Sequence, residues 1–522
     1  MSRPMRRSIW TFLMMFALLS IVLLLMRWLL GAGLIDDAYI YFRYADNFRD
    51  GHGLVFNPGE RVEGYTSPLW VTGLSAVAML GLELERTAQA VGLMLALSTV
   101  LLFACVGQRY LSDKWKLLIV LPTWFLITNP SVEYWASSGM DTPLFVFLFL
   151  LTFWTFSLES RGSGSMVWSG VCFLLAVLAR LDALVLLPLY LLWLFLSSRR
   201  QPRVLLYKYG SFLTPQALLL LYFAWRYSYY GALLPNTYYA KADIPIEVLL
   251  EKGLQYTSSF ATVYWPMLIC ALVALILIAR SPGSYRTELG FALAIIFLWG
   301  GYVTYIGGDH FPMYRFYAPI IPFFALLFTA MLNSLFSRLT RRHWPLAGTL
   351  SLAAFVLPTM VNYHSYTFQF EGVRMQANIE FTANWAEVGR WLRKNADNDY
   401  TIASTVVGAI PYYSKLRTID MLGLTDREVA TKGKVLPEAE TGHQKYNTDY
   451  VLSRRPDYII YNSSGQYLEP IYRDPHKITT RYAYALYNLA LDERTSTLYQ
   501  YEAIRMENGR IIEFLRLKSS TR

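Results

Sequence analysis

The sequence predicts a polytopic α-helical membrane protein of about eleven transmembrane helices with a C-terminal extracytoplasmic α/β domain. Three observations carry that prediction. Hydrophobic residues make up 54% of the 522 positions and charged residues only 16%, against about 25% charged in soluble chains. Long uncharged runs fill residues 1–361, whereas 362–522 has the composition of a soluble domain. The basic residues between the runs also alternate in a way that orients them in a bilayer.

The chain opens with Arg3, Arg6 and Arg7 before an apolar run from Ile9 to Leu30. That run is long for a signal-peptide core and lacks a small-residue cleavage site, so it reads as a retained anchor. Further spanning candidates lie near 88–108, 116–129, 139–158, 166–180, 183–197, 207–226, 262–280, 288–306, 316–337 and 345–361. The pair around Arg180 counts as one helix if it is a single broken segment. With the amino terminus in the cytoplasm, the inner connections hold Arg109, Lys114 and Lys116, then Arg161, then Arg199, Arg200, Arg203 and Lys208, then Arg280 and Arg286, then Arg338, Arg341 and Arg342. This is the positive-inside pattern, and it puts the C-terminal domain outside.

The net charge of +10 follows from 47 basic and 37 acidic residues. Because most of the excess falls in those short connections, it orients the chain and does not point to nucleic acid. Cys105, Cys172 and Cys270 all lie in apolar runs and 362–522 has no cysteine, which leaves no disulfide framework or cysteine-rich metal site. Neither a Walker loop nor a Gly-x-Gly-x-x-Gly sequence occurs to recommend a cytoplasmic nucleotide site.

The first outer loop, 31–87, has its own pattern. Ala38, Tyr41, Phe42, Ala45 and Phe48 recur at helical spacing between Arg43, Asp46, Asn47 and Asp50, which predicts an amphipathic helix on the membrane surface. A turn-rich stretch follows, and Leu69 to Leu82 is too short to span comfortably, reading as re-entrant or interfacial. Beyond residue 362, Trp385, Val388, Trp391 and Leu392 mark a helix near 382–395. Tyr400–Thr405, Arg417–Met421 and Asp457–Tyr461 read as strands, and Asn508-Gly509 between apolar runs as a hairpin turn.

Asp36-Asp37, just outside the first segment, is the most informative pair. A carboxylate there can take the proton of an acceptor hydroxyl attacking a sugar's anomeric carbon, or attack that carbon itself. An Asp before a helix is equally a favoured N-cap. Adjacent helical residues point about 100° apart, so the two roles divide naturally between the members. On local physics alone catalysis and capping stand level.

A lipid-phosphate donor needs cations, and the outward candidates are Arg61, Arg180, Lys241 and Arg315. Arg180 sits in Arg180-Leu181-Asp182, where a structural salt bridge competes with phosphate binding. Arg315 closes a stretch from Gly307 that also contains Asp309 and His310, and a lone histidine there is commonly structural. No motif supports a transition metal and no cofactor is assigned; a divalent cation would need only two carboxylates and a donor phosphate.

The run Asp36-Asp37-Ala38-Tyr39-Ile40, followed by Gly53 through Ser67, resembles the GT-C superfamily of lipid-dependent glycosyltransferases. Within it the likeness is greatest to the mycobacterial terminal arabinofuranosyltransferases and their bacterial relatives. It continues through Ser138-Gly139-Met140-Asp141-Thr142-Pro143, Arg180-Leu181-Asp182-Ala183, Leu234 to Lys241, the Asp309-His310 loop and Ile419 to Asp426. The resemblance implies a GT-C fold in a bacterial cytoplasmic (inner) membrane. It implies a polyprenyl-phosphate sugar donor, with decaprenyl- or undecaprenyl-phosphoryl arabinofuranose leading and mannose an alternative sugar. The implied acceptor is an extracytoplasmic glycan or glycoprotein such as pilin. Asp36 or Asp37 becomes catalytic, Arg315, His310, Lys241, Arg61 and Arg180 donor-binding, and Asp309, Glu63, Tyr65, Asp141, Asp182, Asn236 and Tyr239 substrate-binding. The chain departs from a mycobacterial composition in not being markedly alanine-rich. A flippase of lipid-linked sugars would instead show paired repeats or ionisable groups deep in the spans, and neither pattern is visible.

Overall fold

The computed structural model describes residues 33–279, 283–337, 369–462, 480–506 and 509–518, with a few isolated positions besides. The expected runs near 9–30 and 345–361 fall, those isolated positions apart, outside the described residues. Two compact units form from interleaved stretches. One comprises Met1–Gly33, Ala88–Leu220 and Leu250–Met375, the other Leu34–Thr87, Leu221–Leu249 and Gln376–Arg522.

Among the described residues, seven helices are long and apolar enough to cross a membrane: Leu84–Tyr110, Thr142–Glu159, Leu181–Ser198, Pro202–Tyr230, Ile246–Ile276, Arg286–Tyr305 and Arg315–Ser337. Each overlaps a run expected from sequence. The run near 116–129 instead divides into a 3-10 segment Asp113–Ile119 and a short helix Val120–Ile127. The runs flanking Arg180 are two helical segments, because Arg180 itself is extended (φ −155°, ψ 122°) between Val167–Ala179 and the 3-10 turn Leu181–Leu186. In Ile246–Ala279 the helix kinks at Tyr264, two residues before Pro266. Proline there has no N–H to give and its ring presses on the preceding turn.

The second unit holds a five-stranded sheet. Its strands are β1 (Thr401–Ser404), β2 (Arg417–Asp420), β5 (Tyr458–Asn462), β6 (Tyr499–Arg505) and β7 (Ile511–Leu517), while β3 (Lys434–Val435) and β4 (Lys445–Tyr446) form a separate ribbon. The order is β2-β1-β5-β7-β6, with β1 parallel to β2 and β5 and the last three strands antiparallel. Alternation along the strands builds two cores. Ala403, Ile459, Leu515 and Leu517 join one cluster, while Ile402, Tyr458, Ile460 and Phe514 join the other with Val388 and Leu392 of the helix Gln369–Asn395. The expected hairpin joins β6 and β7, and Gly509 adopts a φ of +82°, which glycine tolerates best; Asn508 lies outside the described residues.

The helix Asp36–Arg49 forms where the sequence predicts it, but every residue from Ala38 to Asp46 is buried by protein. It is therefore a core helix of its unit. An amphipathic helix on a membrane surface would keep a wet face, whereas here even Arg43 is enclosed. Its guanidinium donates to Phe56 O (2.7 Å), Leu416 O (2.7 Å), Asn57 Oδ1 (3.2 Å) and Pro411 O. Four acceptors replace the water lost on burial, which makes a buried cation tolerable.

Candidate functional site

Asp36 and Asp37 occupy the first turn of this helix, where the exposed N–H ends of the backbone favour carboxylates. The N-cap is Ile35, which offers no side-chain bond, so neither acid serves as the N-cap of its own helix. Asp36 reaches across the unit instead. Its two carboxylate oxygens accept N–H groups from Gly408 (3.0 Å) and Ala409 (2.8 Å), at the start of the helix Ala409–Ser414. Gly408 is there because nothing larger fits. A Cβ would fall 1.9 Å from Asp36 O and 2.6 Å from Asp36 Cγ. Burial pushes the Asp36 carboxyl up to about 7, with the Ala409 N–H opposing, the charge of Asp37 adding and the Gly408 N–H opposing again.

Behind Asp36, Tyr39 is buried, and Tyr413 donates to Glu85 at 2.6 Å while Tyr39 donates to the same carboxylate at 3.3 Å. Asn57 binds both backbone groups of Thr418 in β2, donating to its O (2.9 Å) and accepting its N–H (3.1 Å). The turn-rich part of the first loop is thus hydrogen-bonded to the sheet like an added edge.

The other candidates in this unit have firm structural partners. Glu63 is buried against Arg226 as an ion pair, one oxygen 2.8 Å from Nε and the other accepting from Nη2 at 3.0 Å and from the Tyr222 hydroxyl at 3.2 Å. Tyr65 is buried with its hydroxyl 2.9 Å from that of Tyr230. The Asn236 amide donates to Gly423 O (2.7 Å), Leu424 O and Asp426 O. That loop is itself shaped by Asp420, which accepts N–H groups from Leu422, Gly423 and Thr425 and the Thr425 hydroxyl. Lys241 closes the short helix Asn236–Lys241, and the carbonyl of Tyr239 receives the buried Lys445 ammonium at 2.8 Å. Arg61 lies over the Tyr229 ring, 4.7 Å from its centroid.

In the first unit Arg180 pairs with Asp182 and Asp141, Arg315 pairs with Asp309, and the two arginines share one aromatic ring. Arg315 makes a two-toothed bond to Asp309, at 2.7 and 3.0 Å. Asp309 also accepts the backbone N–H of His310 at 3.0 Å. Left-handed backbone at Gly307, Gly308, Met313 and Tyr314 turns this loop back on itself. Arg180 binds Asp182, whose other oxygen accepts the Tyr302 hydroxyl at 2.8 Å. The Phe316 ring serves both cations, 4.9 Å from the Arg180 guanidinium and 5.1 Å from that of Arg315. Asp141 is fully buried 3.9 Å from Arg180, and neither of its oxygens has a hydrogen-bond partner. Arg180 makes the salt bridge that the sequence allows, and Arg315 has the same kind of carboxylate partner.

Sequence reasoning missed Arg226, Arg427 and Gly408. Arg226 carried a signal, since an arginine inside an apolar run demands a partner. Gly408 carried none, because its constraint comes from a residue far away in the chain. Among the described residues, no group of three or more His, Cys, Asp or Glu side chains could hold a metal ion.

Residues 371–503 match a family described as "Domain of unknown function (DUF8728)". The chain is 30% identical over 273 residues to the terminal beta-(1->2)-arabinofuranosyltransferase of Mycobacterium tuberculosis, covering 49% of this chain and 42% of that one. It spans less than half the length of the curated relatives it matches. Among solved structures it resembles ArnT from Cupriavidus metallidurans bound to undecaprenyl phosphate, with a TM-score of 0.58, 12% identity and 98% of each chain covered. It also resembles the oligosaccharyltransferase AglB from Archaeoglobus fulgidus in complex with an inhibitory peptide and a dolichol-phosphate, with a TM-score of 0.55, 11% identity, and 97% of this chain and 74% of that one covered. With its membrane-length helices and its mixed-sheet C-terminal domain, the chain shares the fold of ArnT and AglB.

Proposed function

We propose that this chain transfers a sugar, D-arabinofuranose first among the candidates, from a polyprenyl phosphate to an extracytoplasmic glycan or glycoprotein. The name of the mycobacterial relative supports the sugar and the reaction, and the polyprenyl phosphates bound by ArnT and AglB support the class of donor. The observation that carries the assignment of roles is the pair of backbone N–H bonds to Asp36. They support Asp36 as the positioning member, clamping the helix that bears its neighbour to the loop at Gly408. Asp37, one residue on, is then the catalytic carboxylate. It takes the acceptor's proton if the anomeric centre inverts and attacks the anomeric carbon if configuration is retained.

Purified protein in nanodiscs, supplied with decaprenyl-phosphoryl arabinofuranose and an arabinan acceptor, tests this reading. Asp37→Asn should lose transfer by at least about a hundredfold while eluting as folded protein like the parent. Asp36→Asn should retain measurable transfer and melt earlier, because an amide cannot accept both N–H groups. Parent-level transfer by both variants would place the chemistry elsewhere. For the lipid phosphate, Arg315→Gln and His310→Gln are to be compared in binding of undecaprenyl phosphate, with weakened binding expected of Arg315→Gln.

A further inference from the structure

The second unit contains a shallow, open cleft that the roles above leave unused. Arg61, Glu63, Tyr230, Asn236, Tyr239 and Arg427 line it. Of its charged lining residues, Glu63 is paired with Arg226, which leaves Arg61 and Arg427. Arg427 is fixed by neutral groups, donating from Nη1 to Tyr230 O (3.2 Å) and from Nη2 to Gly231 O (2.9 Å). Arg61 rests on the Tyr229 ring. Among the described residues neither guanidinium has a carboxylate partner.

The contrast with the first unit is chemical. Arg180 and Arg315 are each held by an aspartate, so an incoming phosphate shares them with a carboxylate. Carbonyls and a ring orient a guanidinium without cancelling its charge. Two cations so fixed on one cleft repel each other, and an oxyanion between them relieves that repulsion through several N–H donors in a planar array. Both arginines are exposed, and Arg427 begins a helix of the soluble domain. The cleft is thus open to water.

We propose that this cleft binds an oxyanion carried by the acceptor, so that the acceptor is an acidic glycan bearing a phosphate or carboxylate group. The inference rests on the glycosyl-transfer reading, with Arg61 and Arg427 selecting the acceptor and the Tyr239 ring giving its sugar a stacking partner.

The test uses full-length protein in nanodiscs titrated with inorganic phosphate, glucuronate, glucose and undecaprenyl phosphate. Inorganic phosphate and glucuronate should bind saturably and glucose should not. The Arg61→Gln/Arg427→Gln variant should bind both anions at least tenfold more weakly, and Arg427→Lys should keep more affinity than Arg427→Gln. Undecaprenyl phosphate should bind the parent and the double variant equally. If the parent binds neither anion, or the double variant binds them like the parent, the proposal fails. It also fails if the double variant loses undecaprenyl phosphate, since the cleft would then hold the donor. Asp37→Asn should bind the anions normally; parent-level transfer by that variant would sink the catalytic assignment and leave the anion site standing.

Discussion

Glu63 separates two readings that the sequence leaves entangled, a substrate ligand or a structural ion. Its side chain is 2% exposed and that of Arg226 is 0% exposed, with Nε 2.8 Å from one carboxylate oxygen. Glu63→Gln leaves an enclosed guanidinium with no counter-charge, held by one amide oxygen, Leu233 O at 3.1 Å and the rings of Tyr222 and Phe223. Removing one charge of a buried pair costs about 3–5 kcal/mol, more than a hundredfold in the folded population, whereas replacing both by apolar residues is often neutral. In nanodiscs, intrinsic tryptophan fluorescence should show Glu63→Gln and Arg226→Met each melting well below the parent, and the Glu63→Leu/Arg226→Met pair recovering most of the loss. A substrate ligand would behave in the opposite way. Glu63→Gln with the parent's melting curve and no transfer, or a double variant as unstable as either single one, would refute the structural assignment.

Asp36 titrates near 7 in the folded chain and near 3.8 when unfolded, so its contribution to stability is fully present below about pH 4 and is lost as pH rises through about 7. The parent's melting temperature should therefore fall more steeply than that of Asp36→Asn between pH 5 and 8 on the arithmetic of linkage, and parallel curves would contradict it. Gly408→Ala would drive a Cβ into Asp36, whose carbonyl oxygen lies 1.9 Å from its ideal position; a shift of about 1 Å in the pair should cut transfer roughly a hundredfold, read in the transfer assay on protein that elutes as the parent does. Asp420→Asn removes acceptor capacity from a carboxylate that holds three backbone N–H groups and the Thr425 hydroxyl. It should lower stability by about 1–3 kcal/mol, seen as an earlier melt and faster proteolysis after β2.

The spanning helices were legible because the bilayer sets their length, and an apolar run of about 20 residues states it directly. Strands were legible for a similar local reason, since alternation at Ile402/Ala403 and Ile459/Ile460 sorts side chains to the two cores. What stayed hidden depends on distant partners. The helix after Asp37 showed one apolar face, and periodicity cannot report that carbonyls of Phe56, Pro411 and Leu416 enclose its polar face at Arg43.

The same limit explains why local physics left the acidic pair undecided between catalysis and capping. The cap is real, but it belongs to a helix that begins 373 residues later, and the helix carrying the pair has no side-chain cap of its own. A carboxylate that spans such a sequence distance does more than satisfy two N–H groups. It fixes the first turn of the Asp36–Arg49 helix against the C-terminal domain, and with it the direction of the adjacent Asp37. Adjacent helical positions diverge by about 100°, so a clamp on one leaves the other aimed elsewhere at a set angle. On the proposed assignment of Asp37 as the catalytic carboxylate, that is the positioning such a group needs, with the second acid serving as the clamp. If Asp36→Asn keeps its fold yet transfers with an altered pH profile, the clamp orients Asp37; if its profile is unchanged at parent rate, the clamp is structural alone.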